Sequence, residues 1–459
     1  MSARLRESRD TRQLNGSTVT HYQVGFAEVD YDPPAGLPLR GNFRDDYAAR
    51  GTHDPLRARA MVFRAGAEKV ALLSVDILMI ARRQVAAMRR FIASRCDLPG
   101  DRVLIAATHT HAAPGVGELW GLPSCPEAVA EAFLARAASA VVAADADLAD
   151  AELAVGQAAE GGLSFNRRLR CKDGRTHMNW ERPPPDFVVE PLGPIDPRVG
   201  VLSVARSARP VAAAVNFGLH PAILAGDNWL YSADYPGCLA EALRRVFGDR
   251  FVTAFFNAPC GDVNHIDYAD PLQGRGWKMA QRVGYVLAAA ACQAVRTATA
   301  LPAGPIAVSR RLVPLERIAV TEVQRREARA VLDRAAARDP AGRVDGLPPE
   351  LHARSLLEAY DLQHAGEKAE VMAVRIGRLG IVGLPGEAFC QLGLRIRHAS
   401  PADATFVIEL ANDAAGYLPT REAFEQGGYE PTVGVTRYGP GAGERLAESA
   451  VEQLNELFG

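Results

Sequence analysis

The chain has 459 residues, 48% apolar and 23% charged, with 52 Lys and Arg against 54 Asp and Glu and a formal net charge of -2. That is an ordinary globular balance, long enough to bury a large core. It offers no general electrostatic basis for a nucleic acid or an anionic membrane as partner.

The opening, MSARLRESRDTRQLNGS, is basic and polar with no apolar stretch behind it, so no secretory signal is expected. Strand-like runs at Arg59 to Phe63 and Lys69 to Ile77 lead to a helical stretch from Arg82 to Ser94 and a strand from Arg102 to Ala107. Pro126 to Ala144 reads as a helix, with Ser124 placed to cap it and Pro126 in its first turn. Pro210 to Phe217 and Phe251 to Phe256 are predicted buried strands. The longest apolar run, Val283 to Val295, is too short to span a bilayer and predicts a buried helix, so no stable membrane insertion is expected. Thr321 to Arg338 predicts a charged amphipathic helix stopped at Asp339-Pro340, and Gly342 to Pro349 is loop-like; residues 321–365 form a candidate helical insertion. No repeat, low-complexity tract or Gly/Ser linker divides the chain. The alternation predicts an α/β fold, a mixed β-sheet core flanked by helices, in a single large domain over residues 1–459. Seven cysteines, at positions 96, 125, 171, 238, 260, 292 and 390, are dispersed with no CxxC pair, which suits reduced thiols in a cytoplasm.

Chemistry-bearing residues gather at predicted strand ends. The strand ending at Ala107 runs into Thr108-His109-Thr110-His111. In an extended chain residues two apart face the same side, so both imidazoles would point into one cleft. Alone, such a pair is equally well explained by strand-end histidines bonded to loop backbone. A second strand ends at Gly218-Leu219-His220, where a lone histidine is ordinarily a satisfied loop or core residue. A third, Ile381 to Leu384, leads through Pro385-Gly386 to Glu387, a carboxylate placed to open the helix that follows and to meet its dipole. Imidazole and carboxylate donors from three strand ends also fit a zinc site assembled across a sheet.

At these residues the sequence resembles the neutral/alkaline (non-lysosomal) ceramidase family. The segments VGFAEVDYDP, DPLRARAMVF, SVDILM, THTHAAPG, FNRR, GLHPAIL, YSADYPG, FFNAPCGDV, LPGEAF and AGYLPTREAFEQGGYE follow the family's order over nearly the whole chain. The resemblance implies zinc held by His109, His220, Glu387 and Tyr417, with His111, Arg167 and Tyr429 at the substrate amide. Tyr417 would not be chosen from chemistry alone; among Gly and Pro it reads as a loop aromatic. Arg167 has arginine neighbours at Arg168 and Arg170, any of which is a surface charge by default.

Two departures accompany the resemblance. Where the family carries GDVSPN this chain has Gly261-Asp262-Val263-Asn264-His265-Ile266, so Asn264 stands in place of a serine and offers a carboxamide to substrate, beside a new histidine. The chain ends soon after YGPGAGERLAESAVEQLNELFG, so only the N-terminal catalytic domain is expected, without the C-terminal β-sandwich of full-length ceramidases. The expected activity is zinc-dependent hydrolysis of the amide of an N-acyl small molecule, with ceramide itself not implied. The alternatives are an ester or lactone hydrolase on the same scaffold and a non-catalytic zinc- or ligand-binding homologue.

Overall fold

The computed structural model describes residues 21–459 except 45, 118, 120, 225 and 337–347. The polar opening segment, the predicted helix stop at Asp339-Pro340 and most of the loop-like Gly342 to Pro349 lie outside the described residues.

Two mixed sheets carry the fold. The larger has nine strands: β1 (Tyr22–Asp30), β2 (Arg57–Ala65), β3 (Glu68–Val75), β4 (Val103–Ala107), β5 (Ala149–Ala159), β6 (Arg198–Arg206), β7 (Arg209–Phe217), β8 (Val252–Asn257) and β9 (Thr299–Leu301). They run in the order β8-β7-β6-β5-β1-β2-β3-β4, with β9 beside β5. Only β3–β4 and β7–β8 are parallel pairs. The smaller sheet holds β10 (Ile306–Leu315), β11 (Glu367–Ile376), β12 (Leu379–Gly383) and β13 (Ala404–Ile408), with β12–β13 parallel. Around them lie α1 (Arg82–Ala93), α2 (Glu127–Ala146), α3 (Asp234–Phe247), α4 (Trp277–Arg296), α5 (Glu322–Ala336), α6 (Pro349–Leu362), α7 (Cys390–Ala399), α8 (Arg421–Gln426) and α9 (Ala442–Phe458).

One inner core joins the sheets. Phe63 and Leu104 from one end of the large sheet, Leu202 and Phe256 from the other, and Val374, Ile381 and Ile408 from the small sheet pack together. The outer faces are covered by helices: α1 and α2 over β1 to β4, α3 and α4 over β5 to β8, and α7 and α9 over the small sheet. Strands so enclosed are apolar on both faces, which is why β4, β8 and β12 are continuous buried runs.

The same order of elements occurs three times: hairpin, helix, then a strand parallel to the second hairpin strand, as β2-β3-α1-β4, β6-β7-α3-β8 and β11-β12-α7-β13. Parallel neighbours need a crossover, and each helix supplies one. The carboxyl ends of these strands meet. Asn257 Nδ2 donates to the Thr108 carbonyl at 2.9 Å, and the Glu409 N–H to the Asn257 carbonyl at 3.0 Å.

The α/β expectation and most strand positions agree with the structure to within a residue or two. The expected cap of α2 does not form. Pro126 holds the cap position in an extended conformation with no side-chain cap, leaving Ser124 two residues outside the helix. α5 and α6 leave the end of the β10–β11 hairpin, whose last pair is Leu315 opposite Glu367. They enclose a small core of Val320, Ala328, Ala353, Leu356 and Val433.

Candidate metal centre

The segment after β4 is clamped before it reaches its histidines. Thr108 N–H donates to Val75 at 2.8 Å and His109 N–H to Ile77 at 2.9 Å. His109 then takes a positive φ of 71°, the left-handed region that a non-glycine residue seldom occupies. The predicted extended Thr-His-Thr-His is therefore wrong in conformation: a turn, not a pleat, brings the two rings into one cleft. Gly41, itself at a φ of +110°, lies where a Cβ would sit 2.5 Å from His111 Cγ, so glycine makes room for that ring.

His109 Nδ1 lies 2.7 Å from the Leu78 carbonyl, which can only accept. That fixes the proton on Nδ1 and turns the Nε2 lone pair inward. There it meets His220 Nε2 at 2.9 Å, Glu387 Oε2 at 3.3 Å and His111 Nε2 at 3.4 Å. His220 Nε2 is 3.8 Å from the same carboxylate oxygen. Among the described residues, the three imidazoles form a group whose ligand atoms all lie within 4.8 Å of one another.

Glu387 arrives differently from the expectation. It does not open a helix; Glu387–Ala388 is a two-residue strand paired in parallel with Tyr417–Leu418, and α7 starts at Cys390. This register puts Glu387 opposite Tyr417. The phenol hydrogen-bonds to the carboxylate and to Arg167.

Electrostatics match a site built for positive charge. Burial alone would lower the His109 pKa, but Glu387 overrides it and the net shift is upward. Burial would raise Glu387, but His109 and Tyr417 bring it below the ordinary carboxylate value. Burial, reinforced by His109 and Arg167, holds His111 and His220 well below an ordinary histidine. Burial likewise keeps Tyr417 a neutral phenol in the metal-free protein. Converging lone pairs on His109, His220 and Glu387 repel unless a cation, proton or metal, sits among them. Donor atoms about 2.0–2.2 Å from a tetrahedral zinc lie roughly 3.3–3.6 Å from one another. The observed separations of 2.9, 3.3 and 3.8 Å bracket that range, so the residues fit the ion.

The structure also separates the arginines. Arg167 and Arg168 both donate to the buried Glu430, at 2.7 and 2.8 Å. Arg168 turns away to the Gly427 carbonyl at 2.9 Å, whereas the Arg167 guanidinium lies 5.2 Å from the ring centres of both Tyr417 and Trp180. Arg170 is paired with Glu190 on the surface. Tyr429 stands edge-on to Tyr417 and Trp180 and lines a small cavity with His109, His111, Glu387 and Tyr417.

Asn264 is not brought to that cavity. Its carbonyl accepts from Asn179 at 2.7 Å and from Ile266 N–H at 2.9 Å, and its amide donates back to Asn179 at 2.8 Å. This reciprocal amide pair takes up the carboxamide expected to face substrate. His265 is buried and held neutral, its pKa lowered to about 4 by burial. Two buried carboxylates, Glu430 and Glu409, and the half-buried Trp180 carry little sequence signal. Glu430 had one usable signal, its place beside Tyr429 in Gly-Gly-Tyr-Glu. Trp180 and Glu409 had none; Glu409 accepts from the Cys260 thiol at 2.9 Å and its N–H at 3.1 Å.

Residues 22–311 match the family described as neutral/alkaline non-lysosomal ceramidase, N-terminal. The chain belongs to this family. His109, His111, Arg167 and His220 lie inside the matched stretch; Glu387, Tyr417 and Tyr429 lie beyond it. The neutral ceramidase of Mycobacterium tuberculosis is 28% identical over 262 residues, covering 52% of this chain and 39% of that protein. That of Pseudomonas aeruginosa is 24% identical over 490 aligned residues, covering 94% of this chain and 71% of that protein. The crystal structure of the Pseudomonas aeruginosa ceramidase superposes with a TM-score of 0.75 at 21% identity, over 96% of this chain and 75% of that one. A ceramidase complexed with C2 gives 0.74 at 20% identity, over 95% and 75%. The ceramidase fold is thus shared across both sheets.

Proposed function

We propose that this chain is a zinc-dependent hydrolase that cleaves the C–N amide bond of an N-acyl small molecule, with His109, His220, Glu387 and Tyr417 holding the ion. The observation that carries the proposal is the convergence of His109 Nε2, His220 Nε2 and Glu387 Oε2 with His109 Nδ1 committed to a carbonyl. A zinc ion bound there would lower the pKa of a bound water to about 7 and polarise the substrate carbonyl.

The chain's own residues do the rest. Leu78 fixes the His109 tautomer, and the register of Glu387 against Tyr417 fixes the carboxylate. Arg167, anchored by Glu430, supplies fixed positive charge beside Tyr417, where a tetrahedral oxyanion would be stabilised. His111 and Tyr429 face the same cavity and would hydrogen-bond the reacting amide or pass a proton to the leaving amine. Phe43, Leu78 and Leu122 form its apolar wall and would exclude water around the acyl group. No serine is needed, so the amide pair of Asn264 with Asn179 is compatible with this chemistry. We further propose that the whole chain acts as one catalytic domain, with α5 and α6 as its insertion.

The test is amine release from a panel of N-acyl amides by purified, chelator-treated protein with and without added zinc. Zinc-dependent release supports the reading; zinc-loaded protein that cleaves none of them refutes it.

A further inference from the structure

We infer that the site selects an amide whose polar limb carries an anionic group, a carboxylate or a phosphate, received by Arg354 and Arg437; this rests on the amidase reading above. A cavity of about 480 Å³ has Glu387 and Tyr417 at its inner end and Arg317, Arg354, Arg437 and Glu358 on its outer wall. Met79, Leu119, Glu387 and Tyr417 line both this cavity and the small one at the histidines, so the two adjoin at the candidate ligands. A substrate that places its amide at the metal centre therefore extends a limb along the arginines.

The three guanidinium groups differ. Arg317 is neutralised by Glu367 at 2.6 Å. Arg354, on α6, and Arg437, beside Tyr438, are exposed, and among the described residues neither forms an ion pair. The acids nearby do not cancel them. Asp413 feels the charge of Arg437 but is bonded to Arg82, through its backbone N–H at 3.0 Å and its guanidinium at 3.8 Å. Glu358, one turn along α6 from Arg354, offsets one charge and leaves one over. Glu387 belongs to the metal centre.

A planar guanidinium offers a fork of donors that matches a carboxylate or phosphate two bonds at a time. A limb bearing only hydroxyl groups would leave that fork to water. The opposite end of the site is apolar at Phe43, Leu78 and Leu122. The fitting substrate is thus a compact amide, apolar on the acyl side and anionic on the amine side, as in an N-acyl amino acid.

The experiment compares N-hexanoylglycine, N-hexanoyl-O-phosphoethanolamine and the neutral N-hexanoylethanolamine on the zinc-loaded full chain. One or both anionic amides should show a kcat/KM higher by on the order of tenfold, carried by KM and reduced by added salt. Whichever is favoured names the anion. The ratio should fall toward unity in Arg354→Ala/Arg437→Ala and return in part in Arg354→Lys/Arg437→Lys. A neutral amide cleaved as well as both anionic ones, or a ratio unchanged in the Ala variant, overturns the inference. If no amide is cleaved, the amidase reading fails, and calorimetric binding of the same compounds decides the subsite. Anion-selective binding lost in the Ala variant upholds it; equal binding of all three overturns it.

Discussion

At the scale of single residues, His109 and His111 are two positions apart and face one cleft, yet their surroundings differ. His109 has one nitrogen bound to Leu78 and the other aimed at His220 and Glu387; His111, with Nε2 3.4 Å from that of His109, is the third imidazole of the group and also lines the cavity. Loss of a ligand lowers metal affinity, whereas loss of a substrate-facing donor leaves the ion bound and weakens the transition state. His109→Ala is expected to lose zinc and turnover together. His111→Ala is expected to keep zinc and lose roughly two to three orders of magnitude in kcat. Metal analysis and kinetics on both variants check this, and a metal-free His111→Ala beside a zinc-bound His109→Ala would reverse the roles.

Glu409 offers a second residue-scale test. Burial raises its pKa from the ordinary 4.5 to about 8, against the opposing pull of the Cys260 hydrogen bonds. In metal-free protein the folded state then binds a proton between those values that the unfolded state has released. The sign follows: this contribution to stability is largest at low pH and is lost as pH rises through about 8. Glu409→Gln removes the titration. The Tm of the native protein relative to this variant should therefore fall with rising pH across that window. A difference independent of pH would show that Glu409 is ionised throughout.

At the scale of elements, the candidate metal centre depends on two-residue pairings. Glu387–Ala388 beside Tyr417–Leu418 places two proposed ligands opposite each other, and Gly261 backs this strand closely. A Cβ on Gly261 would lie 2.4 Å from the Glu387 carbonyl oxygen. Gly261→Ala should destabilise the protein by about 1–3 kcal/mol and weaken zinc binding by roughly tenfold or more. Denaturant unfolding and a competitive zinc titration would measure both; wild-type values would mean that the strand shifts without disturbing its carboxylate. Such pairings mark where sequence reading stops. Long apolar runs announced β4, β7 and β12, and His109, His220 and Glu387 stood out at their ends. A two-residue strand has no periodicity to detect, so sequence alone puts Glu387 at a helix start. Nor does any local pattern announce a positive φ at His109 or the burial of Glu409, since both are imposed by segments distant in sequence.

For the whole molecule, the repeated hairpin-helix-strand order has no counterpart as a sequence repeat, because the packing constrains polarity rather than residue identity. It brings carboxyl ends of strands from all three units to one place, so the proposed site draws His109 from the first, His220 from the second, and Glu387 and Tyr417 from the third. α5 and α6 stand outside this scheme. Since Leu315 and Glu367 already face each other, replacing residues 320–363 by a short turn should leave both sheets folded and zinc bound, while removing Arg354 and the anion preference. Circular dichroism, metal analysis and the three-amide comparison test this together; a shortened chain that fails to fold would make the helices part of the core.

The most direct test of the central claim is the rate of amide cleavage by chelator-stripped protein as zinc is added back. The expected result is no turnover without metal, then a rise that saturates at about one zinc per chain, the capacity of a single four-ligand site. Full activity in the stripped protein, or saturation with zinc and no cleavage, would contradict it.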